Sequence, residues 1–478
     1  MSLLSESFGF VEVRGIERVE ESERGGKALD LLWVWCAANI GVLGVTLGAE
    51  LVTFRGLNLW QSLLVALVGG AGSFALVGML SVAGKWGGAP QLILSRAVFG
   101  IRGNGGPVVI SWMTLVGWEA VMSIIAAYAF RALLWRAFHL PIGPVTTIVS
   151  LATVVLLAVV VGLLGHTTIM RVQKWAAYLL GVFTIVLVVR LCLDIDWQAA
   201  TQARGGPTSA VLAGIGFIAA GTGLGWINTG ADYARYLPGR ESGRSITGWV
   251  TLGAGLPLVA LIGLGALSAV KDPDLASAND PVAAIGAALP SWMAVPYLVL
   301  AVGGLVTATV LSLYSSGLNL LAVGLPIKRT AAIGLDAVLV IGCGVYVMVI
   351  ADDFYGPFVA FLTLLALAMF PWGTIFGLDM LLRRGYDVDS LFNETPQSRY
   401  WFTRGFSVPA LGAWAAGIVV GLLFTSAAVD AQTVWFQGPW AQSWVGRNNL
   451  GWIAGGLVSG IIYVLLERWN VPVEPVPA

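Results

Sequence analysis

Twelve long apolar runs, each bounded by charged residues, proline or glycine clusters, dominate this sequence. They lie at about residues 29–54, 58–83, 106–136, 144–165, 169–190, 208–235, 244–270, 292–322, 331–350, 356–382, 405–428 and 449–467. A membrane-spanning helix needs roughly 20 predominantly apolar residues, so each run is about long enough to cross a bilayer. The runs do not alternate with the period of two that a β-barrel requires. The sequence therefore predicts an all-α polytopic membrane protein with twelve transmembrane helices, named spans 1 to 12 in chain order.

The composition agrees with a lipid environment and excludes several classes of protein. Of the 478 residues, 57% are hydrophobic and 11% are charged, whereas soluble domains contain about 25% charged residues. The 26 basic residues balance the 26 acidic ones, so the chain has no net attraction for nucleic acid. The three cysteines have no metal-binding spacing, and no HExxH, GxSxG or P-loop motif occurs. We therefore expect neither an enzyme nor a bound cofactor.

The Lys and Arg residues are distributed unevenly between the two sides of the predicted bundle. Nineteen of them, from Arg14 to Arg468, lie in the amino-terminal tail, the loops on the same side as the tail and the carboxyl end. Only seven lie on the other side. Cytoplasmic loops carry the excess of basic residues, and the polar tail, residues 1–28, lacks the pattern of a cleavable signal peptide. The expected topology is a multi-pass protein of the plasma (inner) membrane with both termini in the cytoplasm.

Spans 1 and 6 differ from the others because glycines and polar residues lie near their centres. Span 1 contains Gly41 and Gly44 after Asn39, and span 6 contains Gly221, Thr222, Gly223, Gly225 and Asn228. Glycine costs roughly 1 kcal/mol relative to alanine inside a helix. Such clusters indicate either a broken helix or close packing between helices.

The spacing of these two clusters indicates an internal repeat. Five spans separate the start of span 1 from the start of span 6, so the second copy enters the membrane from the opposite side, as in inverted-repeat transporters. The predicted organisation is a tail at 1–28, a first five-helix repeat at 29–190, an inverted repeat at 191–385, and two further helices with the carboxyl terminus at 386–478. In this architecture, the backbone groups of the broken helices bind substrate and coupling ion near the midplane.

Glu119 is the only carboxylate well inside an apolar span, and its neighbour Trp118 is the aromatic residue of most interest. An ionisable group within the membrane is a candidate functional group, so Glu119 is expected to carry a coupling proton. The alternative is a neutral Glu119 that is hydrogen-bonded to a neighbouring helix. Consecutive helical residues are about 100° apart, so the two side chains cannot point the same way. Trp118 either stacks on a flat heterocycle or packs in the core.

Other polar residues allow both a functional and a structural interpretation. Asn39 and Asn228 could bind a planar amide or cap the broken helix ends. Asp232 and Arg235, three residues apart in span 6, are expected to form a local ion pair. Span 8 offers hydroxyl groups that could contact a cation or bond only their own helix, at Thr307, Thr309 and Ser312. Pro371 in span 10 predicts a kink.

Several segments, taken together and in this order, resemble the nucleobase:cation symporter family in its purine-cytosine permease branch. They are Gly15-Ile16-Glu17-Arg18-Val19-Glu20-Glu21-Ser22-Glu23-Arg24, Trp35-Cys36-Ala37-Ala38-Asn39, Gly88-Ala89-Pro90-Gln91, Ser95-Arg96-Ala97-Val98-Phe99-Gly100, Gly103-Asn104, Gly117-Trp118, Ala231-Asp232-Tyr233-Ala234-Arg235-Tyr236-Leu237-Pro238, Leu313-Tyr314-Ser315-Ser316-Gly317-Leu318, and Pro371-Trp372 followed by Asp379 and Arg383-Arg384-Gly385-Tyr386-Asp387. The matches run from the tail through span 10.

The resemblance implies a leucine-transporter-type protein that imports a purine or pyrimidine base together with H⁺ or Na⁺. In relatives the tryptophan of span 3 stacks on the substrate, which would be the role of Trp118. The resemblance and the residues together give three sets of expected site residues. The substrate set is Trp118, Asn39, Thr222, Gly223, Trp226 and Ser312, the proton-coupling residue is Glu119, and the Na⁺ set is Ala38, Gly41 and Thr307.

The chain also departs from the family pattern at the expected site. Met122 stands where relatives often have an amide residue, span 8 lacks the asparagines that precede Tyr314, and Ala308 replaces the second hydroxyl of the Na⁺ site. These changes favour proton coupling over Na⁺ and weaken the case for cytosine or adenine. The alternatives are another small nitrogen heterocycle, such as hydantoin, allantoin or a vitamin ring, or a channel or receptor. The oligomeric state is left open, and a monomer would suffice.

Overall fold

The computed structural model describes residues 11–467 except 13, 194, 272–281, 283, 284, 287, 288, 352–354 and 429–432. Within these residues, nine helices are long and apolar enough to cross a bilayer, and a bent pair in span 1 makes ten. Two shorter apolar helices, Val408–Leu423 and Gly451–Glu467, lie at the predicted spans 11 and 12. The structure is therefore consistent with the predicted twelve spans. Residues 1–10 of the predicted tail and residues 468–478, including Arg468, lie outside the described residues.

The predicted spans correspond closely to the helices of the structure. Span 1 consists of Asp30–Asn39 and Val42–Thr53, and span 6 of Thr208–Gly221, the 3₁₀ turn Gly223–Trp226 and Gly230–Ala234. The others, in order, are Leu59–Gly87, Gly105–Phe138, Pro144–Leu163, Gly165–Cys192, Gly243–Lys271, Ser291–Ala322, Arg329–Ala351, Tyr355–Arg383, Val408–Leu423 and Gly451–Glu467. Short helices at Glu21–Glu23, Gln91–Leu94, Arg96–Phe99, Trp197–Gln202, Val388–Phe392 and Trp444–Arg447 lie between or beside the spans.

Span 11 is shorter than its apolar run predicts. The helix ends at Leu423, and Ser426–Ala428 forms strand β1, which pairs antiparallel with β2, Val434–Gln437. Ala427 lies opposite Phe436 in this hairpin. The helix thus lies within the predicted run at about 405–428, and after residue 423 a strand partner farther along the chain replaces the helical hydrogen bonds.

Local sequence signals explain where several spans begin and end. Asn58 and Gln61 form a capping box at the start of span 2, and Pro144 occupies the first turn of span 4. Gly88 ends span 2 in the left-handed conformation, with φ of +60°. These signals fix the lengths of the helices, while apolar packing fixes their arrangement.

Spans 1 and 7 pack so closely that their contact requires glycine. A Cβ atom on Gly48 would overlap the carbonyl group of Ile262, and one on Gly265 would overlap that of Val45. A Cβ atom on Gly44 would lie 2.9 Å from the Cβ atom of Leu261. The close-packing interpretation of the glycines therefore holds for this pair of helices, in addition to the break in span 1.

The amino-terminal tail covers one end of the bundle, which we name the tail end. The Val19 amide donates to the carbonyl of Gly88 at 2.8 Å, the Arg24 guanidinium to that of Lys85 at 2.8 Å, and the Gly26 amide to that of Tyr236 at 3.3 Å. The tail thus joins the end of span 2 to the end of span 6. Both segments lie on the side of the bundle predicted from the basic residues, and the assignment of this side to the cytoplasm stays a prediction.

Candidate functional site

Span 1 is broken near its centre, as the sequence predicted. The first helix ends at Asn39, the second begins at Val42, and the two are bent by 59°. Gly41 between them is extended, with φ of −156° and ψ of 160°. The Asn39 side-chain amide donates to the carbonyl of Trp35 at 2.8 Å. Asn39 therefore caps the end of the first helix and also faces the break.

Span 6 is broken at the corresponding position of the second predicted repeat. Its first helix ends at Gly221, and Thr222 has φ of −134° and ψ of −107°. The Thr222 hydroxyl donates to the carbonyl of Ile218 at 2.6 Å, and the Gly223 amide donates to the hydroxyl of Ser73 at 3.1 Å. The break is therefore stabilised by side-chain hydrogen bonds, one of them from span 2.

A small cavity lies between the two breaks. Its volume is about 40 Å³, which is room for a few water molecules. Its walls come from spans 1, 3, 6, 7 and 8. Six of the expected site residues line it, namely Ala38, Asn39, Gly41, Trp118, Thr222 and Trp226. We name it the central cavity.

Trp118 lines the central cavity with its indole ring. Its indole N–H is buried and has no partner. The ring packs edge-on against Phe358 and Phe361 of span 10, with ring centroids 6.2 Å and 5.9 Å away. A Cβ atom on Gly225 would overlap the indole of Trp118. The side chain is thus fixed by spans 6 and 10, and its indole nitrogen lies against Gly225.

Trp226 provides a second indole in the cavity wall. It lies in the 3₁₀ turn of span 6 and packs edge-on against Trp35 of span 1, with ring centroids 5.7 Å apart. Trp226 is 8% exposed and Trp118 is 5% exposed. Two indoles from different spans therefore face one small cavity, a composition that suits a flat aromatic ligand.

The structure places three other candidate residues away from the central cavity. The Ser312 hydroxyl donates to the carbonyl of Leu115 in span 3 at 3.2 Å and is fully buried. A Cβ atom on Gly223 would overlap Ser73 of span 2, so this glycine serves the packing of two helices. The Asn228 amide donates to the hydroxyl of Ser111. None of these three residues lines the central cavity in the structure.

Glu119 points away from the central cavity, as the helical geometry predicts. It is completely buried, and neither carboxyl oxygen has a hydrogen-bond partner. The hydroxyl groups of Ser312 and Ser316 and the carboxyl group of Asp336 face it. The predicted alternative, a neutral Glu119 that is hydrogen-bonded to a neighbouring helix, stays a prediction, because the Ser312 and Ser316 hydroxyls of span 8 lie beside the carboxyl group. Glu119 lies in a separate polar cluster, on a side of span 3 about 100° away from that of Trp118.

Two oxygen atoms of the expected Na⁺ site, the Thr307 hydroxyl and the Gly41 carbonyl, take part in hydrogen bonds. The Thr307 hydroxyl donates to the carbonyl of Ala37 at 3.0 Å and to that of Gly304 at 2.7 Å. The carbonyl of Gly41 accepts from the Gly44 amide at 3.3 Å. A Cβ atom on Gly304 would overlap the Ile40 carbonyl, so span 8 packs directly against the break. Thr307 contributes one hydroxyl group to the expected site, and Ala308 beside it contributes none.

A second, larger cavity of about 480 Å³ opens at the tail end. Charged residues of both signs line it, among them Glu12, Glu23, Arg171 and Lys174. The Arg14 guanidinium, 2.8 Å from Glu23, lowers the pKa of that carboxyl group. This cavity is bounded by the tail and contains neither broken-helix backbone nor Trp118. Its residues fit a water-filled vestibule better than a site for a flat apolar ligand.

The expected ion pair of Asp232 and Arg235 is wrong. The Arg235 guanidinium donates to the carbonyl of Gly15 at 3.1 Å and to the hydroxyl of Tyr314 at 2.8 Å. One Asp232 oxygen accepts from the Gln91 amide at 2.8 Å. The tail and span 8 supply partners that are distant in sequence, and these replace the pair that local spacing favoured.

Sequence reasoning missed several apolar residues that line the central cavity. They are Leu43, Leu47, Leu258 and Leu305. Each lies in a long apolar run where nothing distinguishes it from residues that face lipid. Asp336 was missed as well, although a carboxylate within the predicted span 9 is a signal that could have identified it.

Comparison with known proteins gives consistent matches along almost the whole chain. The sequence model of a family described as "permease for cytosine/purines, uracil, thiamine, allantoin" matches residues 18–445. The Bacillus subtilis protein YxlA, named provisionally as a purine-cytosine permease, is 24% identical over 471 residues, 96% of either chain. The purine-cytosine permease FCY2 of Saccharomyces cerevisiae is 27% identical over 272 residues, 56% of this chain and 49% of its own length.

Solved structures match the fold over similar lengths. Mhp1, a nucleobase-cation-symport-1 family transporter, in a closed conformation with bromovinylhydantoin bound, aligns with a TM-score of 0.74 at 19% identity, over 98% of this chain and 97% of Mhp1. A Na⁺-coupled sialic acid symporter aligns with a TM-score of 0.60 at 11% identity, over 95% of this chain and 92% of its own. The leucine-transporter type of fold is thereby shown.

Proposed function

Because the chain belongs to the family of permeases for cytosine/purines, uracil, thiamine and allantoin, we propose that it imports a small planar nitrogen heterocycle by cation symport. Members of this family are multi-pass membrane permeases and not enzymes. The observation that carries the proposal is the central cavity, which lies between two broken helices and is walled by Trp118 and Trp226. A nucleobase is the leading substrate class.

The cavity supports a flat ligand that makes few hydrogen bonds. Trp118 offers a ring face and one unpartnered N–H donor. Asn39 and Thr222 are the polar side chains of its wall, and both already make one hydrogen bond to their own helix. Met122 lies in the cavity wall, at a position where an amide side chain would form hydrogen bonds with the edge of a base. A ring without an exocyclic amino group, such as uracil or a hydantoin-like ring, fits these partners better than cytosine or adenine.

We favour H⁺ as the coupling ion, with Glu119 as its carrier. The Na⁺ alternative requires Ala38, Gly41 and Thr307 to hold the ion, and the Thr307 hydroxyl already donates to two carbonyl groups. Its oxygen could still accept a cation, but a second hydroxyl is lacking at Ala308. Glu119, by contrast, is a buried carboxyl group without a partner.

Transport is proposed to proceed by alternating access of two inverted repeats around the central cavity. The repeats are those predicted at 29–190 and 191–385, with 386–478 as an addition. Both termini would face the cytoplasm, and the vestibule at the tail end would be the route to the cytoplasm. At about 40 Å³, the central cavity must expand before it can admit a ring.

Uptake by purified protein in proteoliposomes tests the proposal. Radiolabelled uracil, adenine, cytosine, hydantoin and allantoin are offered one at a time under an imposed pH gradient, an imposed Na⁺ gradient, or neither. We expect at least one ring to accumulate above its external concentration under the pH gradient. If no ring accumulates under either gradient, the symport proposal is wrong. If a ring equilibrates without accumulating, the chain is a uniporter or a channel.

A further inference from the structure

Glu119 forms a pair with a second buried carboxyl group, Asp336 of span 9. Asp336 is fully buried, and it accepts hydrogen bonds from the Trp112 indole at 2.8 Å and from the Ser316 hydroxyl at 2.8 Å. Both of its oxygens therefore have a donor. A carboxylate with two donors is stabilised in its charged form. Asp336 is thus the ionised member of the pair.

The hydroxyl groups that face Glu119 have no proton left to give it. A serine hydroxyl carries one proton and accepts through its lone pairs. The Ser312 proton is directed to the carbonyl of Leu115, and that of Ser316 to Asp336 or to the carbonyl of Leu313. An ionised Glu119 would meet only acceptors. A protonated Glu119 can donate to either hydroxyl oxygen, which removes the cost of a buried polar group without a partner.

No basic side chain balances the pair within the described residues. The charged or titratable groups that face Glu119 are Asp336 from span 9 and Tyr233 from span 6. Span 4, which also packs on span 3, has no ionisable residue. In span 10, Asp379 and Arg383 pair with each other at 2.9 Å. Two adjacent carboxylates in such surroundings cannot both stay ionised.

We propose that Glu119 and Asp336 together form a binding site for one proton, separate from the central cavity, and that Asp336 is a second coupling residue. The inference rests on the proposed function, because it assigns the coupling ion of that transport. A hydronium ion transfers its proton to one Glu119 oxygen. One O–H bond of the hydronium breaks, which leaves water, and one O–H bond of the carboxylic acid forms, which neutralises that carboxylate.

The site is placed to communicate with the substrate. Trp118 and Glu119 are adjacent in span 3, and the one lines the central cavity while the other faces spans 8 and 9. Deprotonation of Glu119 creates repulsion between spans 3 and 9, which displaces the helix that holds Trp118. Protonation therefore tightens substrate binding, and by linkage substrate binding must take up a proton.

Proton uptake on substrate binding tests the inference directly. Purified protein in weakly buffered detergent solution with a pH indicator receives uracil, adenine or hydantoin between pH 6 and pH 9, and binding is measured in parallel. We expect the wild type to take up as much as about one proton per bound ring toward the alkaline end. Glu119→Gln, which keeps a donor in place of the carboxylic acid, should bind at all pH values without proton uptake.

Asp336→Asn is the second variant, and it keeps partners for Trp112 and Ser316. Without the Asp336 anion, an ionised Glu119 no longer repels span 9, so protonation and substrate binding are coupled less strongly. Proton uptake per bound ring should therefore fall to less than half that of the wild type. Glu50→Gln is the matched control, because Glu50 is a buried carboxylate with its own cation, Arg55, 3.0 Å away. This control should take up protons as the wild type does.

The outcomes separate the inference from the proposed function. If a ring binds without proton uptake, or if Glu119→Gln or Asp336→Asn takes up protons like the wild type, the proton site is wrong and the transport proposal stands. If binding instead requires added Na⁺ and the pH indicator shows no change, the coupling ion is Na⁺ and the inference is also overturned. If no ring binds to folded wild type, the proposed function is wrong, and the inference with it.

Discussion

Trp118 and Glu119 are adjacent in span 3, yet the two sides of the helix on which they lie face surroundings of different composition. The side of Trp118 faces the central cavity and is aromatic, with Phe358 and Phe361 supporting the indole. The side of Glu119 faces spans 8 and 9 and is polar, with Ser312, Ser316 and Asp336. One helix can therefore serve two ligands, a flat ring and a proton, without placing the carboxyl group in the ring's site.

This difference shows how coupling can occur without contact between substrate and ion. The structure places Trp118 and Glu119 one residue apart, so movement of span 3 changes both environments together. A proton carrier inside the cavity would be exposed to the same water as the substrate. Substitutions on one side of span 3, or at its junction with the breaks, test this separation.

Trp118→Ala removes the main aromatic wall of the cavity. Loss of the indole contact is worth about 1.5–3 kcal/mol, so substrate affinity should fall roughly 10- to 100-fold. Competition for radiolabelled uptake measures this loss. The control is Trp175→Ala, since Trp175 is 71% exposed and lies outside the cavity. Equal affinity in Trp118→Ala and wild type would remove Trp118 from the site.

Gly225→Ala should displace the Trp118 indole from the side of span 6. The new methyl group would overlap the Trp118 ring, and overpacking of about 1 kcal/mol or more should reduce affinity by roughly 3- to 10-fold. Gly248→Ala is the matched control, since no atom lies within 4 Å of a Cβ at that position. If both variants bind alike, the contact of Gly225 with Trp118 has no role in binding.

Met122→Gln places an amide in the cavity wall. An added hydrogen bond is worth about 0.5–1.5 kcal/mol, so cytosine or adenine should compete roughly 2- to 10-fold better relative to hydantoin. Met122→Leu keeps the wall apolar and should leave the order of preference as it is in the wild type. A variant with unchanged preference would show that Met122 does not contact the part of the ring that distinguishes these compounds.

Thr307→Val has the smallest expected effect on transport. The variant loses the hydroxyl that donates to Ala37 and Gly304, which should lower the free energy of unfolding by about 1 kcal/mol. Uptake in sodium-free medium should remain in both proteins. Uptake that needs Na⁺ in the wild type and disappears in Thr307→Val would instead establish the Na⁺ site.

Much of the fold follows from local properties of the sequence. Apolar length predicts the positions of the spans, and glycine clusters predict the two breaks, because both properties act within one helix. The exception is span 11, where β1 depends on β2, which is not adjacent in sequence. Hairpin pairing of that kind leaves little trace in hydropathy.

The site was predictable where residue type and helical phase were sufficient. Trp118, Trp226, Asn39 and Thr222 lie in the cavity wall, and their role in substrate binding stays a prediction. Ser312 could not be placed, because serine suits either side of a buried helix and the phase of span 8 depends on its packing against span 3. Arg235 also could not be placed, because its partners come from the tail and from Tyr314.

The central claim, that the ring and the proton bind on different sides of span 3, is tested most directly by Glu119→Gln in proteoliposomes. Two rates are measured on the same preparation, namely exchange of labelled for unlabelled substrate and accumulation driven by a pH gradient. We predict that exchange persists at a rate similar to that of the wild type while accumulation is lost. Retention of accumulation would contradict the claim, and so would loss of substrate binding in a folded variant.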